Sequence, residues 1–571
     1  MDRNFFLAMA LSFLVLVTWS MYAERQRPPE AESSPASEGG EAPVERAGAP
    51  GSEAAPTSVA GTGERGEMAG ERLDTAGVVP IAQTEPAAPS RPERRTSVSN
   101  ALVEAEFTSR GGGLVSWKLL EYATSTEDDA APVEMVSLDD DAPLALVTPF
   151  RELGFGDQSQ ADYDLDQPDA RTLVYSLERG GVRIRKTYLL PEQGYDFRLR
   201  IEVVNGSDRY VRPTFLTVWP AVYRESSGFK EFSLAAYAAD SLEQAPIAGS
   251  GGFLLGGGGG FDEVIEHTGN VDWAGARSRY FLAALLPDVP REAAVRFTPV
   301  DPGRSARAEI AFNAADVPPG QRLEREYRVY LGPKETELLD AVGAHLDEAI
   351  LKGWFPPLTR FFTWLLMATY SIVRNYGVAI ILITVLVRAL MAPIMARQMR
   401  SMKRLSGLQP KIKKVQEQYP DDRQKQSEAM MAVYKEAGMS PFSAMAGCFP
   451  MLLQLPVFIG FYYALQGAIQ LRHQAFFGWM SDLSAPEQLF VIPGLELPVR
   501  LLPLMMGGSM VLQQRLTPTT MDPAQARMML TVMPVMFTVL FYQFASGLVL
   551  YWLVSNLLGI AQQVMTNRSS D

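Results

Sequence analysis

Cysteine, histidine and intramembrane acid are what this sequence has least of. One cysteine, Cys448, among 571 residues excludes an intramolecular disulfide framework and any cysteine-rich metal site. Three scattered histidines, His267, His345 and His473, offer no zinc-ligand spacing, so neither metal nor cofactor is expected. The glycine run 256–260 is not followed by Lys-Ser/Thr and reads as a surface loop rather than a phosphate cradle. From Tyr376 onward the long apolar stretches contain neither Asp nor Glu. Acids there fall between the stretches (Glu417, Asp482, Glu496 and Asp522 among them) and at the terminal Asp571. The net charge of −13 is therefore carried mainly by the segment from Glu24 to Glu348.

What is present is a set of membrane-length apolar segments, and one of them holds a cation. Tyr376 to Met395, YGVAIILITVLVRALMAPIM, has the length that crosses ~30 Å of hydrocarbon. Arg388 lies inside it, at a cost of roughly 2.5–3.5 kcal/mol on insertion scales. With no carboxylate on any later apolar segment, Arg388 is expected to face water or polar side chains within the bilayer.

Residues 5–22 form the first apolar segment. Met21 before Ala23 makes a poor cleavage site, so residues 1–23 are expected to be an uncleaved anchor. Residues 24–98, rich in Pro, Ala, Gly, Ser and Glu, read as a disordered tether. Over 99–335 the pattern changes to β-rich runs such as VRIRKTYLL (182–190), YDFRLRIEVV (195–204) and LEREYRVYL (323–331). Turn signals at Gly111-Gly112-Gly113, Asn205-Gly206 and Pro302-Gly303 separate them, which predicts a large antiparallel β-sandwich. Residues 336–374 are expected to connect it to the membrane through helices. The stretch 357–373, with Phe361, Phe362 and Trp364, reads as an amphipathic helix along the membrane surface.

Within 375–571, a polar segment 397–437 carries ten Lys/Arg against five Asp/Glu and predicts a helical hairpin. Its second helix is expected to start from a capping box of Asp421 with Gln424. By the positive-inside rule this hairpin is cytoplasmic. Further spans are expected at 447–469, about 499–515, 528–544 and 548–565. The total is six spans, five of them forming a core, with both termini cytoplasmic and the β-domain outside.

Polar side chains recur in these spans: Thr384 one helical turn before Arg388, Gln454 between Pro450 and Pro456, Gln513 and Gln514, and Trp552, Ser555 and Asn556 in the last. Singly, each is an ordinary helix–helix hydrogen bond. Together with an unpaired arginine they point to a hydrated groove. Nine methionines between Met391 and Met451, and eight between Met505 and Met536, suit a surface that accepts varied apolar partners.

The order of parts over 376–571 resembles the bacterial YidC branch of the YidC/Oxa/Alb membrane-protein insertases. The motifs that carry it are ILITVLVRALMAPI (381–394), LQPKIKKVQEQYPDDRQK (408–425), MMAVYKEAGMSP (430–441), GCFPMLLQLPVF (447–458), LTPTTMDPAQARMM (516–529) and FASGLVLYWLVSNLL (544–558). The β-rich region, with its leading span, is similar to the extra periplasmic supersandwich of the Gram-negative members. The resemblance implies a non-covalent insertase and chaperone of the inner membrane rather than an enzyme. Its partners would be nascent membrane proteins, the Sec translocon, membrane lipids and the ribosome, with no readout of nucleic-acid sequence. It implies that Arg388 receives the polar end of an inserting chain in a groove bordered by Thr384, Gln454, Trp552, Ser555 and Asn556. Trp552 stands where relatives often have tyrosine. The sequence stops without the basic tail some relatives use at the ribosome, which shifts that contact to 397–437. Two other readings compete. A solute transporter or channel with a cationic site requires inverted repeats and ionisable residues on several spans. A membrane-anchored carbohydrate enzyme requires a catalytic set in 99–333. Neither feature is found in the sequence.

Overall fold

The computed structural model describes residues 92–568, apart from 139–143, 225–230, 249–259, 351–352, 354, 421, 438–448, 495–496 and 518–522. The expected anchor, most of the expected tether and most of the glycine run lie outside the described residues.

Alternation in the sequence becomes alternation in burial. In the strand Val182–Leu189, Val182, Ile184, Lys186 and Tyr188 point inward while Arg183 and Arg185 face solvent. This strand belongs to a nine-stranded sheet in which each neighbouring pair is antiparallel. The sheet runs from Ser241–Ala248 at one edge through Phe232–Ala238, Val271–Arg277, Phe281–Pro287, Arg322–Pro333, Asp196–Asn205, Val182–Leu189 and Thr172–Arg179 to Asp164–Asp169. A four-stranded sheet, Ile265–Thr268, Ala293–Asp301, Ser305–Phe312 and Thr217–Val222, and a second one, Arg95–Ser99, Val103–Thr108, Leu114–Ala123 and Pro132–Glu134, complete it. The antiparallel β-sandwich expected of 99–335 is present. Its first strand, Arg95–Ser99, corrects the expected boundary, because it pairs with Val103–Thr108 from within the last residues assigned to the tether.

Phe281–Pro287 and Val271–Arg277 are buried along their whole lengths, which explains their runs of Ala and Leu. Gly275 is required there, since a Cβ would come within 2.0 Å of the Ala283 carbonyl oxygen on the neighbouring strand. The core is aromatic, with Trp117, Trp219, Trp273, Tyr188 and Tyr327 among its fully buried side chains. Lys186 is fully buried beside Tyr188, its Nζ donating to the carbonyls of Leu146 (2.7 Å) and Gly111 (3.2 Å). No carboxylate among the described residues compensates it, and burial lowers its ammonium to about 7.

The helical part begins with α1 (Thr336–Val342) and a 3₁₀ turn, Leu346–Ala349, so the connector is two short pieces broken at Gly343. Helix α2 (Pro356–Val373) buries Phe362 and Leu366 and exposes Phe361, Trp364 and Ile372, the split of an amphipathic helix. Only Arg374 and Asn375 separate it from α3 (Tyr376–Gly407), with Tyr370 stacked on Tyr376 at 3.8 Å. Helix α3 does not stop at the end of the apolar run but continues through the basic segment to Gly407. Helices α4 (Gln409–Gln418) and α5 (Arg423–Glu436) form a hairpin shorter than the expected 397–437, whose first residues belong to α3, and Lys411 and Glu436 tie it at 3.1 Å. The cap of α5 is Asp422, accepting from the Lys425 N–H, rather than the expected Asp421.

There follow α6 (Phe449–Gly467), α7 (Leu501–Leu516), α8 (Pro523–Phe541) and α9 (Ser546–Arg568). Among the described residues two helical segments are long and apolar enough to cross a membrane by themselves, Tyr376–Arg397 and Ser546–Thr566.

Candidate functional site

The site is organised on one stripe of α9. Tyr551, Ser555, Gly559 and Gln562 follow at intervals of four, four and three residues, which places them on one helical face. Arg388 of α3 reaches Ser555 from Nε (2.9 Å) and Nη2 (2.6 Å), so one hydroxyl oxygen accepts from both. Ser555 is buried and Arg388 is half-buried. No carboxylate pairs with Arg388 among the described residues, and its Nη1 has no hydrogen-bond partner among them. A neutral hydroxyl orients the guanidinium without cancelling its charge.

Beside the guanidinium, α9 carries a glycine that lets Gln513 approach closely. At Gly559 a Cβ would lie 2.9 Å from Gln513 Nε2 of α7 and 4.0 Å from Arg388 Nη1. Gln562 donates to the Ala392 carbonyl at 3.0 Å, just before Pro393, and so ties α9 to α3 where that helix carries its proline.

Gln454 of α6 donates to Tyr551 Oη at 2.7 Å, which leaves its own Oε1 buried without a partner. Asn556 turns away from Arg388 and donates to Ser509 of α7 at 3.0 Å. Thr384 is fully buried, its hydroxyl donating to the Ile380 carbonyl at 2.6 Å in its own helix. Trp552 packs in an aromatic cluster with Phe458 (4.8 Å, edge-on), Phe541 (4.9 Å) and Phe537 (5.8 Å). The structure thus brings Arg388 and Ser555 together and reaches Gln454 through Tyr551. It gives Thr384, Asn556 and Trp552 to helix packing around them. Tyr551, Ser509, Gly559 and Gln562 were not singled out from sequence. The recurrence Tyr551-Ser555-Gly559 was the available signal for two of them.

At the other end of the bundle the loop after α6 forms a cover. Ser546 donates to the Asp482 carbonyl (2.7 Å), Gly547 N–H to Leu483 (3.0 Å), and Phe476 lies against Gly377 at the start of α3. The same loop meets the β-domain: Ile469 joins its core, and the Arg472 guanidinium lies 5.4 Å from the Phe281 ring centre.

Comparison with known proteins agrees with this division of the chain. Residues 95–365 match the family model described as the YidC periplasmic domain, and residues 368–571 match that of the 60Kd inner membrane protein. The membrane protein insertase YidC of Pelobacter propionicus is 32% identical over 586 residues, covering 100% of this chain and 99% of that relative. The chain belongs to the YidC family of membrane protein insertases. The Syntrophus aciditrophicus member is 31% identical over 591 residues, covering 100% of each chain. The Oleidesulfovibrio alaskensis member is 34% identical over 497 residues, covering 84% of this chain and 87% of its own. For a YidC family member the β-sandwich is the periplasmic domain, and the family match to it starts at residue 95, where its first strand begins.

Proposed function

We propose that this insertase moves polar ends of nascent membrane proteins through a groove centred on Arg388, without making or breaking covalent bonds. The observation that supports this is a half-buried guanidinium inside an apolar helix, held by a serine hydroxyl, whose Nη1 has no hydrogen-bond partner among the described residues. A charged substrate terminus crossing hydrocarbon loses its hydration. A fixed cation with polar neighbours replaces part of that loss, and a carboxylate accepts from a guanidinium more strongly than a hydroxyl does. The apolar segment that follows then leaves sideways into lipid, driven by burial at ~25 cal/mol per Å². Gln454, Gln513, Ser555 and Gly559 shape the groove, while Thr384, Trp552 and Asn556 hold the helices that border it.

In this reading the basic hairpin and both termini are cytoplasmic, and six spans connect them to the periplasmic domain. Arg388 precedes Arg397 by nine residues, about 13 Å along the helix, and so lies towards the cytoplasmic side. The hairpin 397–437 is the surface offered to the ribosome, and the membrane faces of the spans are open to lipid and to the Sec translocon.

The test is insertion of reporter substrates with acidic or neutral translocated ends in cells depleted of the native insertase. Arg388→Lys should keep substantial activity, while Arg388→Ala should lose the acidic substrates selectively. An Ala variant that inserts both classes normally removes Arg388 from the mechanism.

A further inference from the structure

The loop between α6 and α7 carries a small β-hairpin that neither the fold nor the groove explains. Phe490–Ile492 pairs with Leu497–Val499, with Phe490 opposite Val499, Val491 opposite Pro498 and Ile492 opposite Leu497. Successive side chains of a strand point to opposite faces. Here both faces are apolar and open: Phe490 is 53% exposed, Val491 40% and Leu497 50%. From Gln488 to Val499 the sequence has one charged residue, Glu496. A hairpin standing in water would place polar residues on at least one face.

Its base is firmly held. Tyr542 Oη at the end of α8 donates to the Pro498 carbonyl, and Arg500 donates to the Tyr542 carbonyl and, at 3.0 Å, to Gln543 Oε1. The Arg500 guanidinium also lies 4.9 Å from the Tyr542 ring centre. A tyrosine with an arginine at the end of apolar helices is the composition of a membrane–water interface. On the helical side of this clamp the exposed residues remain apolar, with Leu504 and Met505 on α7 and Val535 and Val539 on α8. The hairpin therefore continues the lipid-facing surface of α7 and α8 past their ends. It lies on the β-domain's side of the bundle, because the same loop contributes Ile469 and Arg472 to that domain.

We infer that the hairpin Phe490–Val499 is a lipid anchor, seated at the headgroup–acyl boundary of the leaflet that faces the β-domain. A two-stranded ribbon has unpaired backbone edges, so its backbone cannot sink into hydrocarbon. The side chains of Phe490, Val491 and Leu497 enter the acyl chains instead, as the apolar face of an interfacial element does. Pro498 also removes one N–H from the ribbon. The anchor fixes the tilt of α7 and α8 from outside the bundle. This rests on membrane placement of those helices and is independent of the role given to Arg388.

The test is spin-label accessibility in the full chain, reconstituted in vesicles of phosphatidylethanolamine and phosphatidylglycerol. In a Cys448→Ser background, single cysteines at Phe490, Val491 and Gly494 carry the nitroxide. The expected result is greater relaxation by oxygen than by a water-soluble nickel chelate at 490 and 491, with that ratio lower at 494. Greater relaxation by nickel at both positions would put the hairpin in water. Protection from both reagents would mean that a protein covers it. Either outcome overturns the proposal. As a second measurement without cysteine, Phe490→Trp should gain emission quenched by acyl chains brominated near the headgroup. Unchanged quenching relative to the parent protein overturns the proposal too.

Discussion

Lys186→Met tests the β-domain at its most buried cation. An unfolded lysine titrates near ~10.4, while the folded one is lowered by burial to about 7. At pH 7 the unfolded chain therefore binds more protons than the folded one, and stability rises as the pH is raised. Linkage gives a gain of about 2 kcal/mol between pH 7 and 9. Above that window the sign reverses, because burial pushes up the hydroxyls of Tyr163, Tyr175, Tyr188 and Tyr327, and the unfolded chain ionises first. Burial also lowers Lys334, so the wild-type slope alone does not report Lys186. The difference between wild type and variant does. At pH 7 the variant gains roughly 4 kcal/mol from removal of a buried charge. It also strands the carbonyls of Gly111 and Leu146 at about 1–3 kcal/mol each. Near-equal stability at pH 7 is therefore expected, with the variant about 2 kcal/mol weaker at pH 9. The core of the domain lies within 98–350 except for Ile469, so a 92–350 fragment can be unfolded in urea. Tryptophan fluorescence would report it through buried Trp117, Trp219 and Trp273. Parallel pH curves for the two proteins would refute the reasoning.

Three further outcomes follow from particular contacts. Gly275→Ala places a methyl against the Ala283 carbonyl and should destabilise the same fragment by about 1–3 kcal/mol, measured by urea midpoint at constant m. Arg279 and Glu231 pair at 2.7 Å with little exposure; burial by itself raises the Glu231 carboxyl, and the charge and hydrogen bond of Arg279 oppose it, leaving the carboxyl below its usual range. Arg279→Ala should cost about 2–4 kcal/mol, and much of that should return on adding Glu231→Gln, because the loss comes from a stranded charge. Gly559→Leu should push Gln513 and Arg388 out of their positions and lower crosslinking of stalled nascent chains from a probe at Ser555, with the helices still inserted. Undiminished crosslinking would show that the space beside Gly559 is not on the substrate path.

Local periodicity made much of the fold readable in advance. The strand 182–189 declares itself because its alternation is set by one strand and one core. Arg388 stood out because its cost belongs to a single residue in a single helix. What could not be read is non-local. The sheet places Ser241–Ala248 at one edge and Asp164–Asp169 at the other, an order fixed by register between distant strands. The partner of Arg388 lies 167 residues away, and no local pattern selects Ser555 over Asn556 beside it. Asp421 and Asp422 are adjacent equivalents in sequence, and only the start of α5 decides between them.

Helix α3 also has a mechanical side. Its 32 residues make a rod about 48 Å long that runs from Tyr376 through Arg388 to the foot of the basic hairpin without an intervening loop. Five residues after Arg388, Pro393 lacks the N–H that the Ala389 carbonyl would otherwise accept, while Gln562 grips the carbonyl of Ala392. The rod is therefore jointed just beyond its charge and clamped at the joint. Between Thr384 and Pro393 the helix is thus tied to α9 twice, at Ser555 through Arg388 and at Gln562 through the Ala392 carbonyl, and the basic turns beyond Pro393 carry neither tie.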